Sequence, residues 1–288
     1  MAIDLHIHSN ASDGTVAPGE LPALAAAANL SAIALTDHDT TAGLGEFLAR
    51  QEEFKQVKLI GGVELSSSDG SREIHIVGLF IDPENAQLQE FMQKMRDERL
   101  IRAEAMQKCL KNLGYEVTWD DLRQIGAPEG VPGRPHFAEV LVRKYNFPDN
   151  KSVFEQLLKR GRPGYIPRNL PPPEEAIKAI KAANGVAVWA HPFSSRGNSN
   201  NVIRRMLLQL KAAGLDALEA YYPEYTPAQS ASALRIAKEF ALAASGGTDF
   251  HGTIHPDIKL GCGRGDLVVP DDILTELERA KRPKVIIL

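Results

Sequence analysis

The chain has 288 residues, 43% hydrophobic and 24% charged, with a formal net charge of −4. That much apolar material excludes a disordered chain, and the acidic balance excludes a basic coat for nucleic acid, so no stable DNA complex is expected. Two cysteines, Cys109 and Cys262, make no disulfide framework, and neither a signal peptide nor a membrane-spanning run is read, so the expected setting is the cytoplasm, with no membrane partner.

Ile3, Leu5 and Ile7 alternate with Asp4, His6 and His8, which predicts a strand presenting both imidazoles on one side. Two histidines so placed can share a metal ion, and Asp13 adds a carboxylate after a polar turn; a polar strand face with an Asx turn is the plainer alternative. A helix over 18–29 leads to a short strand, Ser31 to Leu35, that ends in Thr36-Asp37-His38-Asp39-Thr40. A further helix precedes the run Lys58 to Val63, which carries into Glu64, and a strand over 72–81 contains His75.

Between Asp82 and Pro171 the pattern is helical. Leu88, Met92, Met95, Met106, Leu110 and Leu113 mark one long amphipathic helix, and shorter helices are predicted around 119–122, 136–145 and 153–158. The block reads as an inserted, mostly helical lid or substrate subdomain over 82–171, with 1–81 and 172–288 forming the main domain. Its second half is basic, with eight Lys/Arg between Arg134 and Arg168 against three acids.

Alternation then resumes. A strand over 185–190 ends in His191-Pro192, another spans Asp216 to Tyr222, and a third over 241–247 ends in Thr248-Asp249-Phe250-His251, with helices between and after them and an apolar run, Val285 to Leu288, at the end. Seven strand–polar-end units predict a parallel, closed or nearly closed β/α barrel. Barrel sites gather at the C-terminal ends of strands, which is where His6, His8, Asp13, Asp37, His38, Glu64, His75, His191, Asp249 and His251 fall. Imidazoles and carboxylates without thiolates suit manganese, zinc or iron.

The set Asp4-x-His6-x-His8 with Asp13-Gly14, Thr36-Asp37-His38-Asp39, Gly62-Val63-Glu64, His75, Ala190-His191-Pro192 and Thr248-Asp249-x-His251 resembles the PHP (polymerase and histidinol phosphatase) superfamily. The resemblance implies an α/β fold, a distorted (β/α)7 TIM-like barrel, with a trinuclear centre of divalent ions: manganese first, with zinc, iron or magnesium as alternatives. It implies one site of His6, His8, Glu64 and Asp249, a second of Glu64, His75 and His191 with Glu64 bridging, and a third of Asp13, His38 and His251. Glu64, His191, His251 and Asp13 are its implied catalytic residues, acting by direct in-line attack on phosphorus. Asp37 and Asp39 have no place in this set, and at least one of them is expected to orient an imidazole.

The insert sharpens the resemblance. Arg96-x-x-Arg99-x-x-Arg102, Gly133-Arg134-Pro135-His136-Phe137 and Gly164-Tyr165-Ile166-Pro167 are similar to the 3′,5′-nucleoside bisphosphate phosphatases and related 5′-to-3′ exoribonucleases. This implies a phosphomonoesterase acting on a pAp-like nucleotide, or trimming short 5′-phosphorylated RNA, with histidinol phosphate as an alternative substrate. Arg134, Arg160, Arg162 and Arg168 are expected to hold a second phosphate, Arg134 first among them for its place in Gly-Arg-Pro-His, with His136 as helper and Arg264 as a further contact; a solvated basic face is the plainer reading of each arginine. His255 reads as a loop residue at the rim. A zinc amidohydrolase is disfavoured, because Glu64 and His75 stand where such enzymes place a carboxylated lysine, and a non-catalytic module is disfavoured because no ligand is lost.

Overall fold

Alternating Ile3, Leu5 and Ile7 form β1 (Ala2–Ile7), the first of seven strands in the computed structural model, which describes residues 2–125, 132–194 and 198–281. A 3-10 turn (Pro18–Glu20) and α1 (Leu21–Ala27) lead to β2 (Leu30–Leu35), α2 (Leu44–Leu48), β3 (Lys58–Ser68) and β4 (Glu73–Leu79). A helical stretch follows: α3 (Ala86–Asn112), α4 (Trp119–Gln124), α5 (Arg134–Lys144) and α6 (Asn150–Val153), continued by a π-helical turn (Phe154–Leu158). The alternating part resumes with α7 (Pro173–Ala182), β5 (Val186–Trp189), α8 (Asn200–Ala212), β6 (Ala217–Tyr221), α9 (Pro227–Glu239), β7 (Ala243–Gly246) and α10 (Asp272–Lys281). The apolar run Val285 to Leu288 lies outside the described residues.

The strands lie in chain order, β1 to β7, in one sheet. The expectation of an all-parallel set is corrected at β4, which runs antiparallel to both β3 and β5 while the other neighbours pair in parallel. The reason is the connection. Only residues 69–72 separate β3 from β4, turning through Gly70 at φ 86°, whereas a parallel crossover needs about a dozen residues or more. The reversal brings the start of β4 beside the end of β3, with His75 opposite Ser66. His75 therefore reaches the same edge of the sheet as the other strand-end residues, from the first half of its own strand.

Among the described residues no strand ladder joins β7 to β1, so the predicted barrel closure is not shown by the ladders. Residues just beyond the two strands do meet: His8 N–H donates to Phe250 O (2.9 Å) and Asp249 N–H donates to His6 O (2.8 Å).

The chain divides into two compact units, Met1–Met92 with Leu170–Leu288, and Gln93–Asn169. The first holds a core of Ile3, Leu5, Ile60, Leu79, Val186, Val188 and Leu277, all at most 2% exposed. The second has its own core around Met106, Leu110, Phe137, Leu141 and Leu158. Among the described residues no helix is long and apolar enough to cross a membrane.

Behind the site, Gly247 makes the closest backbone approach. A Cβ there would stand 2.4 Å from both His6 N and His6 Cβ, and 2.9 Å from Asp4 Oδ1. Gly247→Ala must push the histidine-bearing strand aside, an overpacking cost of about 1–3 kcal/mol. Thermal unfolding should show a midpoint several degrees below that of the parent; an unchanged midpoint would contradict this packing.

Candidate metal centre

Alternation along β1 and into the residue after it drives two imidazoles inward, leaving His6 1% and His8 0% exposed. Buried polar side chains require partners. The centre of the cluster is Glu64, itself 1% exposed, near the middle of β3. The segment after β2 grips its backbone: Asp39 N–H donates to Glu64 O (2.9 Å) and Glu64 N–H donates to Asp37 O (3.1 Å). Five imidazoles surround the carboxylate. Its Oε2 lies 3.2 Å from His6 Nε2, His8 Nε2 and His38 Nδ1, and its Oε1 lies 2.9 Å from His75 Nδ1 and 3.1 Å from His191 Nε2.

Asp249 and Asp13 complete the ring. Asp249 Oδ1 is 3.1 Å from His8 Nε2 and 3.5 Å from His6 Nε2. Asp13 stands 3.3 Å from His251 Nε2, 3.7 Å from His8 Nδ1 and 3.8 Å from His38 Nε2. Among the described residues, three groups present donor atoms within 4.8 Å of one another: His6, His8, Glu64 and Asp249; His8, Asp13, His38 and His251; and His38, Glu64 and His75. These overlap more than the three sites implied by the sequence, since His8 and His38 each enter two groups. His191 meets the cluster through Glu64.

The donor set fits divalent metal ions on a specific observation. His6 Nε2, both ring nitrogens of His8, His38 Nδ1 and Asp249 Oδ1 are buried without a hydrogen-bond partner. Buried polar atoms left in that state are costly, and a cation among them would engage the lone pairs they offer. Protonation behaviour points the same way. Burial disfavours charge on His6, His8 and His75, yet neighbouring carboxylates outweigh it, pushing His6 well up and His8 and His75 to about 10. Burial pulls His38 down to about 4. Burial opposes ionisation of Glu64, Asp249 and Asp13, but the surrounding imidazoles hold all three below the usual carboxylate range. Protons and cations compete for these lone pairs, so the field that protonates the imidazoles also favours a metal ion.

Behind the donors, Glu219 is the residue that the sequence reading missed. It is 2% exposed, takes His6 Nδ1 on Oε1 (3.0 Å) and accepts from His191 N–H on Oε2 (2.6 Å). A carboxylate accepts only, so His6 keeps its proton on Nδ1 and turns the Nε2 lone pair to the centre. Its signal was a charged residue inside the apolar strand Ala217-Leu218-Glu219-Ala220. Tyr222 donates its hydroxyl to Asp249 Oδ2 (2.9 Å). The bonds described for Asp37 and Asp39 go elsewhere: Asp37 accepts from Ser9 and Ser12, and Asp39 from Ser66. Glu219 orients the His6 imidazole.

Of the basic residues expected to bind substrate, all but Arg264 belong to the helical unit. In the helical unit the Arg134 guanidinium lies over the rings of Phe154 (5.8 Å) and Tyr165 (5.6 Å) and donates to Leu158 O. His136 Nδ1 accepts Gly133 N–H (2.9 Å), a local cap at the start of α5. Arg160 and Arg162 are exposed and Arg168 is half-buried. Arg264 is paired with Asp257. His255 is exposed, its ring 5.8 Å from that of His251.

Residues 4–159 match the profile of the PHP domain. The chain is 36% identical over 250 residues to a 3′,5′-nucleoside bisphosphate phosphatase of Chromobacterium violaceum, covering 86% of this chain and 87% of the relative. It is 34% identical over 249 residues to a 5′-3′ exoribonuclease of Haemophilus influenzae, covering 86% and 89% respectively. A solved structure from Bifidobacterium adolescentis, provisionally named a metal-dependent phosphoesterase, superposes with a TM-score of 0.81 at 31% identity over 98% of this chain and 97% of that one.

Glu219→Gln tests the support behind the donors. With its carbonyl toward His6, the amide of Gln would face the His191 N–H; turned over, it would force the proton of His6 onto the wrong nitrogen. Either way one imidazole is misplaced, and affinity for Mn(II) in a calorimetric titration should drop about 10–100-fold. Parent-like affinity would remove Glu219 from this role.

Proposed function

The chain belongs to the PHP family, and from that premise we propose that it hydrolyses the 3′-phosphate of nucleoside 3′,5′-bisphosphates, converting pAp to AMP and phosphate. The single observation that carries the reading is the ring of unpartnered, buried imidazole and carboxylate atoms around Glu64. Divalent ions bound there supply Lewis-acid charge against the phosphoryl oxygens and the acidity that makes water a nucleophile at neutral pH.

The residues divide the remaining work. Glu64 turns one oxygen toward His75 and His191 and the other toward His6, His8 and His38, and would serve the first two positions together. His6, His8 and Asp249 would hold the first cation, His75 and His191 the second, and Asp13, His38 and His251 the third. Manganese is proposed first, with zinc, iron or magnesium as alternatives. Glu64, His191, His251 and Asp13 border the reacting phosphate. Water oxygen attacks phosphorus directly, the P–O3′ bond breaks, and one proton of the water ends on O3′, giving AMP and phosphate.

The sheet is read as a distorted (β/α)7 barrel, supported by the two backbone bonds that link the ends of β1 and β7. The helical segment is read as a substrate subdomain inserted into it. A second phosphate needs cations apart from the carboxylate-rich centre, and Arg134, Arg160, Arg162, Arg168 and Arg264, with His136, remain the proposed contacts. Arg162, which is exposed, suits this better than Arg134, flanked by two rings, or Arg264, paired with Asp257. The exoribonuclease relative supports a second activity, trimming of short 5′-phosphorylated RNA. A cytoplasmic setting, the expectation from the sequence, is proposed with this activity.

Phosphate release with Mn(II) should be much faster from pAp than from 3′-AMP, 5′-AMP or histidinol phosphate, because energy from the remote phosphate positions the reacting one. Dialysis against a chelator should abolish turnover and added Mn(II) restore it. Glu64→Ala should lose nearly all rate while staying folded by circular dichroism. Preference for histidinol phosphate, or metal-independent turnover, would refute the reading.

A further inference from the structure

Asp37 lies one residue before a donor, His38, yet the chemistry above leaves it without a task. It is 2% exposed and carries three strong hydrogen bonds: Ser9 N–H (2.7 Å) and Ser12 Oγ–H (2.6 Å) donate to Oδ1, and Ser9 Oγ–H (2.6 Å) donates to Oδ2. All three come from the loop that bears Asp13. Ser12 Oγ also lies 3.2 Å from Asp13 Oδ1. The loop closes on itself through Asn10 N–H to Val16 O and Gly14 N–H to Ser9 O, both 2.9 Å. Its far end is tied to a different segment: Thr15 Oγ1 accepts Thr253 N–H (2.9 Å) and sits 3.4 Å from His251 O.

The Asp13 loop is thus stitched on one side to the segment carrying His38 and on the other to the segment carrying His251. Those are the two histidines nearest its carboxylate besides His8. Asp13 itself has a side chain 54% exposed, whereas Glu64, His6 and His8 are at most 1% exposed, the first two on paired strands and His8 directly after β1. A donor on an exposed loop cannot be positioned by packing, so its position must come from hydrogen bonds. We propose that Asp37 is the positioning residue for Asp13, and that through it the Asp13–His38–His251 cation position can be lost separately from those centred on Glu64.

The proposal rests on the metal reading above, and the test separates the two. Mn(II) is titrated into the metal-free full chain, with bound ions counted by elemental analysis and isothermal calorimetry. In Asp37→Ala the Ser9 and Ser12 donors lose their common acceptor, and one equivalent should be lost or weakened at least tenfold while the others bind as in the parent. Asp37→Asn can restore the geometry, because its carbonyl can serve Ser9 N–H and Ser12 and its amide can donate to the Ser9 hydroxyl. The Asn variant should therefore regain the missing equivalent. If Asp37→Ala proves unfolded by circular dichroism, Ser12→Ala removes one of the three bonds and should weaken the same single equivalent severalfold. Parent-like binding in the Ala variants, loss of all equivalents together, or an Asn variant that behaves as Ala would each overturn the proposal; the last would show that charge rather than position matters. A parent chain that binds no Mn(II) would instead sink the metal reading itself, and this proposal with it.

Discussion

A carboxylate at 1% exposure cannot remain ionised unless positive charge is brought to it, and this constraint at Glu64 organises the main unit. Imidazoles reach it from β1, from the loop after β2, from β4 and from the turn after β5. The apolar half of each strand is then obliged to pack beneath the polar end. Ile3 and Leu5 in β1, and Val186 and Val188 in β5, lie in one continuous cluster under the site. Core and site are two ends of the same strands, so a shift in one is felt in the other.

A second group of buried acids supports the first. Asp4 is 0% exposed and accepts from Thr248 N–H (2.9 Å), the Thr248 hydroxyl (2.6 Å) and Gly261 N–H (2.9 Å). Its bonds link β1 to the segment after β7, where the strand ladders stop. Burial pushes the Asp4 carboxyl up to about 6, with these donors working against it. Glu219, Asp39 and Asp37 act likewise, each spanning two segments that are far apart in the chain. The acids of the main unit thus fall into two sorts: those facing the centre with oxygens left over, and those whose oxygens are saturated by backbone and hydroxyl donors.

Much of this was legible in the sequence because period-2 alternation and strand-end polar clusters are local signals. His6, His8, Asp13, Asp37, His38, Glu64, His75, His191, Asp249 and His251 could be gathered from them, and only the resemblance to the PHP superfamily set Asp37 apart from the rest. What escaped depends on partners distant in the chain. The direction of β4 is set by the length of a turn, and residues 69–72 carried that information in Asp69-Gly70-Ser71. Glu219 looked like one polar residue in an apolar strand, and its meaning lies in His6, more than two hundred positions away. Arg134 was legible as a cation but not as the partner of Phe154 and Tyr165, because ring stacking leaves no periodicity.

Three residues at the rim of the cluster, Asp39, His191 and Asp249, hold left-handed backbone conformations at φ 52°, 31° and 54°. Such angles are tolerated by Asp and Asn more readily than by other side chains, and they are rare for bulky ones. Any redesign of metal preference by exchanging donors therefore meets two different landscapes. At position 75, on a regular strand, an imidazole can be traded for a thiolate or a longer carboxylate on chemical grounds alone. At positions 191 and 249 the backbone votes as well, and a Glu or Cys introduced there would pull the chain toward another geometry before any ion was offered.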